Sequence, residues 1–167
     1  MNKISKRHFL KSKEVRKLMA EIEEKLKISR ENFGKKNPKI EVAEFDKIKI
    51  FIFDSKPLIA SHKDALFPTL IFDDSLRSLP KVIVDMGAVP HICNGADVMA
   101  PGIVELEGKF CKGDLIAVLD EKNRKLIAVG VALKDSEEIV EAKRGKVVRN
   151  LHYVGDKLWR LIKSLSS

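Results

Sequence analysis

VDMGAVPHICNGADVMAPGI, residues 84–103, is the stretch that decides how the rest of the chain is read. Its inner part, Pro90 to Ile103, carries Asp97 as its only formal charge, in a protein that is 34% Asp, Glu, Lys and Arg. Gly95 and Gly102 have no Cβ, so the backbone is free to bend there and to offer N–H groups to a close neighbour, while Pro101 fixes one dihedral and stiffens the exit. Val98 and Met99 add apolar contact. A backbone-lined concavity of this kind suits a phosphate, a sugar or an unstacked base. It suits equally a barrel-corner loop whose glycines serve only the turn, and spacing alone leaves the two readings level.

Outward from this loop, KVIVD just before it predicts a buried strand, and MGAVPHICNG predicts one or two helical turns ended by Asn94-Gly95. Downstream, IVELEG, DLIAVLD, KLIAVGVAL, GKVVRNLHYV and KLWRLI read as strands, separated by turn-like pieces such as Lys122-Asn123-Arg124 and Val154-Gly155-Asp156. Strands at this density predict a small barrel or sandwich. Between them, DSEEIVEAKR predicts a short helix capped by Asp135 or Ser136. Glu137 and Glu138 fall in its first turn and Lys143 and Arg144 in its last, as the macrodipole favours, and Gly145 ends it.

Upstream, Val15, Leu18, Met19, Ile22 and Leu26 recur at helical spacing and predict an amphipathic helix over 12–27 with Ser12 as N-cap. Lys17 with Glu21 and Glu21 with Lys25 stand at i, i+4 on its outer face. NFGKKNPK, from Asn32 to Lys39, breaks the pattern. IEVAEF, KIKIFIF and PTLIF then read as strands, with tight turns at Asp46 and at Asp54-Ser55-Lys56-Pro57. A helix on a small antiparallel sheet, ending near Phe72, is the simplest way to bury these faces, and DDSLRSLP, residues 73–80, reads as a connection between domains.

The 167 residues, 44% of them hydrophobic, are enough for one medium domain or two small ones. Thirty-two Lys and Arg against 24 Asp and Glu give a net charge of +8, which favours a polyanionic partner. The excess sits in residues 1–79, with 18 basic against 12 acidic residues. The first 20 residues alone hold seven Lys or Arg and a single Glu, around Phe9 and Leu10. They read either as a solvated helix face behind a frayed terminus or as a polyanion contact. No apolar leader and no run near the ~20 apolar residues of a membrane span is present, so a cytoplasmic protein without membrane attachment is expected.

Signatures of catalysis are scarce. There is no G-x-x-x-x-G-K-[ST], G-x-S-x-G, H-E-x-x-H or correctly placed G-x-G-x-x-G. Cys93 and Cys111 form no C-x-x-C pair, and His91, Cys93 and His152 match no common zinc spacing, so buried thiols and no metal are expected. Asp85 and Asp97 flank the loop as a conceivable acid and base, yet Asp85 closes a strand and Asp97 follows Gly-Ala, positions that favour turn or cap roles.

The residues of the opening stretch resemble a known signature. VDMGA followed by GADVMAPGI matches the V-D-x-G-A…G-A-x-V-x-x-P-G-I pattern of the PUA domain, named after pseudouridine synthases and archaeosine transglycosylases. The resemblance continues through DLIAVLD, LIAVGVAL and NLHYVGDKLWRL, over about residues 79–163. With the ending N-x-H-Y-x-x-D-x-L-W from Asn150 to Trp159, and the KPL and FPTL segments of the region in front, the chain resembles an archaeal relative of the MCT family of translation re-initiation and recycling factors. That family joins a pre-PUA domain to a PUA domain.

The resemblance implies an α+β fold: a helix-plus-antiparallel-sheet pre-PUA domain over 1–78, then a PUA pseudo-β-barrel over 79–167. It implies an RNA-binding protein of the translation machinery, without catalysis or cofactor, that binds the small ribosomal subunit, the tRNA acceptor end, or both. A density-regulated-protein-like partner is implied, and the chain itself is expected to be a monomer. The alternative it implies is an accessory subunit that targets a tRNA- or rRNA-modifying enzyme, such as a transglycosylase or pseudouridine synthase. The RNA surface falls on Gly87, Ala88, Gly95, Ala96, Asp97, Val98, Met99, Ala100, Pro101 and Gly102. Charge adds Arg149 as a phosphate contact.

Overall fold

The computed structural model describes residues 6–34 and 37–166, so the start of the basic N-terminal run and Lys35-Lys36 of the predicted break lie outside the described residues. The chain divides into two compact units, Met1–Ser75 with Arg160–Ser167, and Leu76–Trp159.

The first unit begins with strand β1 (Lys6–Phe9), where a frayed terminus or helix face was expected. Helix α1 (Ser12–Glu21) follows and passes into a π-helical turn over Ile22–Leu26. Lys27, at φ 60, then ends the helix in the left-handed region. Ser12 is the first helical residue and not its cap. Lys11 holds the cap position, with its N–H donated to Glu14 Oε1 at 2.9 Å. Val15, Leu18, Met19, Ile22 and Leu26 are all buried, as their spacing predicts.

Strands β2 (Ile40–Phe45), β3 (Ile48–Phe53), β4 (Lys56–His62) and β5 (Ala65–Pro68) complete a five-stranded antiparallel meander in the order β1-β2-β3-β4-β5. Its tight turns put Asp46 at φ 52, Asp54 and Ser55 at φ 48 and 73, and Lys63 and Asp64 at φ 52 and 60. Asp tolerates this conformation better than most residues, and the matching twist holds the hairpins in register. Phe33 stacks on Phe53 with ring centroids 4.5 Å apart and meets Phe72 edge-on at 5.5 Å.

PTLIF is not a strand throughout, because β5 ends at Pro68 and the buried Thr69 turns the chain by donating its hydroxyl to the Pro57 carbonyl at 2.7 Å. The expected connection at 73–80 contains helix α2 (Asp73–Arg77), with two acids in its first turn.

In the second unit, β6 (Lys81–Val84), helix α3 (Val89–Ile92), β7 (Val98–Met99), a 3-10 turn over Ala100–Gly102 and β8 (Ile103–Glu107) come first. Strands β9 (Leu115–Asp120) and β10 (Leu126–Ala132), helix α4 (Ser136–Glu141), strand β11 (Lys146–Tyr153) and helix α5 (Lys157–Ser166) follow. The six strands form one sheet in the order β7-β11-β10-β9-β6-β8, curled as a half-barrel around Val82, Val84, Ile92, Val98, Ile116, Val118 and Val148. All pairs are antiparallel except β6 with β9. Helix α4 is capped by Asp135, whose N–H reaches Glu138 Oε1 at 3.3 Å. The whole chain is α+β.

KLWRLI, expected as a strand, lies in helix α5. The signal was Asp156: its Oδ1 accepts the Trp159 N–H at 2.6 Å, and Leu158, Leu161 and Ile162 then recur at i, i+3 and i+4 and are buried. Asp156 Oδ2 also accepts the Tyr153 N–H and the Nδ1–H of the fully buried His152, both at 2.9 Å. Burial pushes the Asp156 carboxyl up. The hydrogen bond and charge of His152, with the Trp159 and Tyr153 N–H groups, outweigh it and hold the carboxyl below its ordinary value.

A group depressed in the folded state stabilises above its unfolded value of about 4 and loses that contribution as pH falls through its folded value. In acid titrations followed by circular dichroism, Asp156→Asn is therefore expected to be less stable at neutral pH and to show a shallower loss of stability below about pH 4.

Close backbone approach fixes one glycine. At Gly130, where the β10–β11 register shifts, a Cβ would stand 2.4 Å from the Arg149 carbonyl oxygen and 2.6 Å from Val148 Cγ1. The neighbour is backbone and cannot step aside. Gly130→Ala is expected to destabilise by about 1–3 kcal/mol, read as a lower denaturation midpoint.

Candidate nucleic-acid interface

The loop between β6 and β8 is built from the strand end outward. Asp85 is a turn residue, as its place at the end of a strand predicts: its Oδ1 accepts the Ala88 N–H at 2.8 Å, while its own N–H donates to the Gly102 carbonyl at 2.9 Å. The two ends of the stretch are thereby joined. Gly102 faces Ala88 so closely that a Cβ would come within 3.1 Å of the Ala88 Cβ, so its lack of a side chain serves packing within the loop. Helix α3 ends at Ile92 with Cys93 as its cap, and the turn that follows reaches Gly95, whose φ of 99 places it in the left-handed region. The Gly95 N–H donates to the Ile92 carbonyl and the Ala96 N–H to the His91 carbonyl, each at 3.0 Å. These amides are engaged within the loop. A Cβ on Gly95 would lie 3.4 Å from the Tyr153 hydroxyl.

Asn150, on β11, holds this loop in place. It is 6% exposed, its Nδ2 donates to the Ile92 carbonyl at 3.0 Å and the Ala96 carbonyl at 2.9 Å, and its backbone N–H donates to Asp97 Oδ1 at 2.9 Å. The other Asp97 oxygen pairs with Lys146 Nζ at 3.4 Å. Asp97 is therefore a bracket between loop and sheet. Strand β7 pairs with β11, Met99 opposite Lys146, and the Ala100 N–H reaches the Gly145 carbonyl at 2.9 Å.

Of the residues singled out in the sequence, Gly87, Gly95, Ala96, Met99 and Pro101 are exposed, and Ala88, Asp97 and Gly102 are half-buried. Val98 and Ala100 belong to the core. Arg149 is half-buried and follows Val148 on β11, so strand alternation turns it away from the face on which Asn150 meets the loop. The cation set beside the loop is Lys146, exposed and opposite Met99, while Lys143 and Arg144, also exposed, precede Gly145, whose carbonyl takes the Ala100 N–H. The sequence puts Lys143 and Arg144 in the last turn of a helix ended by Gly145, but α4 stops at Glu141 and both lie beyond it, on the segment that leads into β11. The exposed Met86 was also missed.

No cluster of three or more His, Cys, Asp or Glu side chains suited to a metal occurs among the described residues. Burial pushes the Cys93 thiol above its ordinary value, against the opposing charge of Lys125, which leaves it a poor nucleophile. No helix among the described residues is long and apolar enough to cross a membrane. The loop presents backbone and small side chains tied to the sheet, with Met99 and Pro101 exposed and Lys146 opposite Met99.

The family model of the PUA domain matches residues 80–154, the span that contains this loop and its strands. The chain belongs to the PUA-domain family. In front of the PUA domain, residues 6–72 match a domain of unknown function, DUF1947. An uncharacterized protein of Methanocaldococcus jannaschii is 42% identical over 162 residues, covering 93% of this chain and 96% of that one. Translation machinery-associated protein 20 of Saccharomyces cerevisiae, of the MCT family, is 28% identical over 121 residues, 68% of this chain and 67% of that one. A probable tRNA pseudouridine synthase B of Pyrobaculum arsenaticum is 44% identical over 80 residues, but these are only 24% of its length.

Among solved structures, a PUA domain of Aeropyrum pernix K1 superposes with a TM-score of 0.80 at 29% identity, covering 97% of this chain and 93% of that one. A hypothetical protein of Pyrococcus horikoshii OT3 gives 0.78 at 38% identity, over 94% and 99%.

Because Asn150 joins the PUA loop to its sheet, Asn150→Ala should cost about 1–3 kcal/mol of stability and speed amide exchange over residues 92–97. Asn150→Asp should be worse than Ala, since it aims a carboxylate at two carbonyl oxygens.

Proposed function

We propose that this protein is a non-catalytic RNA-binding factor of the translation machinery, whose PUA loop holds an RNA end or acceptor stem on the small ribosomal subunit. The observation that carries the reading is the loop pinned by Asn150, which holds a backbone surface with exposed Met99 and Pro101, with Lys146 opposite Met99 and the exposed Lys143 and Arg144 just before it in the chain. Rigid small-residue backbone admits a sugar-phosphate chain closely, the apolar side chains meet base or ribose, and neighbouring cations neutralise phosphates. The likeness to translation machinery-associated protein 20 over both parts of the chain supports a role in initiation, re-initiation or recycling. A density-regulated-protein-like partner fits this reading.

A second reading, an accessory subunit that grips tRNA for a modifying enzyme, is favoured by the match to the pseudouridine synthase, which is confined to about half of this chain.

Co-sedimentation with purified small subunits, and filter binding of tRNA, test the proposal over a range of salt. Lys143→Ala with Arg144→Ala should leave the fold unchanged, weaken binding, and lower the slope of log affinity against log salt by about 1–2. Absence of both subunit and tRNA binding by the unmodified protein would overturn it. Affinity purification that recovers a modifying enzyme and no ribosomal subunits would favour the second reading.

A further inference from the structure

We infer that the first unit carries a separate contact for single-stranded RNA, in which a base stacks on Phe9 and its flanking phosphates lie on Lys39, Lys11 and the cations of α1. The inference rests on the reading of the chain as RNA-binding, and adds a site in the unit that reading leaves without one.

Strand β1 is exposed along its whole length. Phe9 is 55% exposed, the one aromatic ring among the large exposed hydrophobic side chains of the described residues. Lys39 Nζ stands 4.8 Å from its ring centroid. The Leu10 N–H donates to the Ile40 carbonyl at 2.9 Å, which carries the β1–β2 register one residue further and brings Lys11 alongside Lys39. From that corner α1 presents Lys13, Arg16 and Lys17, exposed at i, i+3 and i+4 and so on one side of the helix. Arg7, on the same strand face as Phe9, is held by Glu41 at 2.9 Å.

An exposed ring among cations costs solvation and does nothing for the core. A protein partner that buried Phe9 would need more apolar surface around it, and the neighbours are charged: Lys39 over the ring, and across the strands Glu41, whose carboxylate is taken up by Arg7. Aromatic rings flanked by basic side chains hold single strands by stacking and phosphate neutralisation, with little regard to sequence. Charge agrees: this unit has 19 basic against 12 acidic residues, whereas the PUA unit has 13 against 12.

The test uses the full chain and a short oligouridylate with one central 2-aminopurine, whose fluorescence falls when the base stacks. The unmodified protein should bind and quench it. Phe9→Ala should abolish the quench and weaken binding about tenfold, as loss of one stacked base predicts. Phe9→Trp should keep both, and Lys143→Ala with Arg144→Ala should keep the quench. Unchanged affinity and quench in Phe9→Ala overturn the site. Absence of quench in the unmodified protein overturns it too, and if tRNA and subunit binding persist, the reading of the PUA loop stands without it. Loss of every RNA interaction overturns both.

Discussion

The surface of the PUA loop depends on one side-chain amide. Residues 92–97 contain two carbonyl groups that turn inward where no strand meets them, and a buried carbonyl without a donor costs as much as a lost hydrogen bond. Asn150 supplies both donors from β11 while its own N–H fixes Asp97. Few other side chains could do this. A carboxylate lacks donors, and Gln would carry its amide one methylene further. Because the amide sits on a central stretch of a strand paired on both sides, the loop inherits the rigidity of the sheet.

Such rigidity fits the proposed use of backbone and small side chains as a contact for RNA. A loop that had to order itself on meeting RNA would give up part of each contact to lost conformational entropy. Gly95 and Gly102 belong to the same economy. One makes the left-handed turn beside Tyr153 and the other lets the loop close against Ala88, so both act by shaping the surface.

The strands and the loop were legible in the sequence because they rest on local chemistry. Runs rich in β-branched and apolar residues gave β2, β3 and β6, β8 to β11, and Asp at Asp46 and Asp54 marked the hairpins, although β4 is not legible, because its Lys56-Pro57 start reads as part of the turn. The losses have physical causes. Strand β1 is a strand only because β2 lends it partners, and KRHF has no apolar face to announce that. KLWRLI is apolar enough for a strand, but the cap at Asp156 decides for helix. In the loop, the motif grouped Val98, Met99 and Ala100 together but could not separate the buried Val98 and Ala100 from the exposed Met99. Nor could it show Asn150, whose role depends on pairing across more than 50 residues.

The division of the chain bears on how it comes into being. Strands β2 to β5 of the first unit pair only with neighbours in sequence, through two-residue turns, and such local pairing forms fast, while β1 joins β2 across α1. Yet that unit also takes in Arg160–Ser167, which leave the ribosome after the whole of the PUA unit. A nascent chain can therefore close its first sheet early and still lack its last helical segment. Completion of the earlier unit waits for the later one, so a chain stalled within the PUA unit presents an unfinished first unit to whatever surveys it.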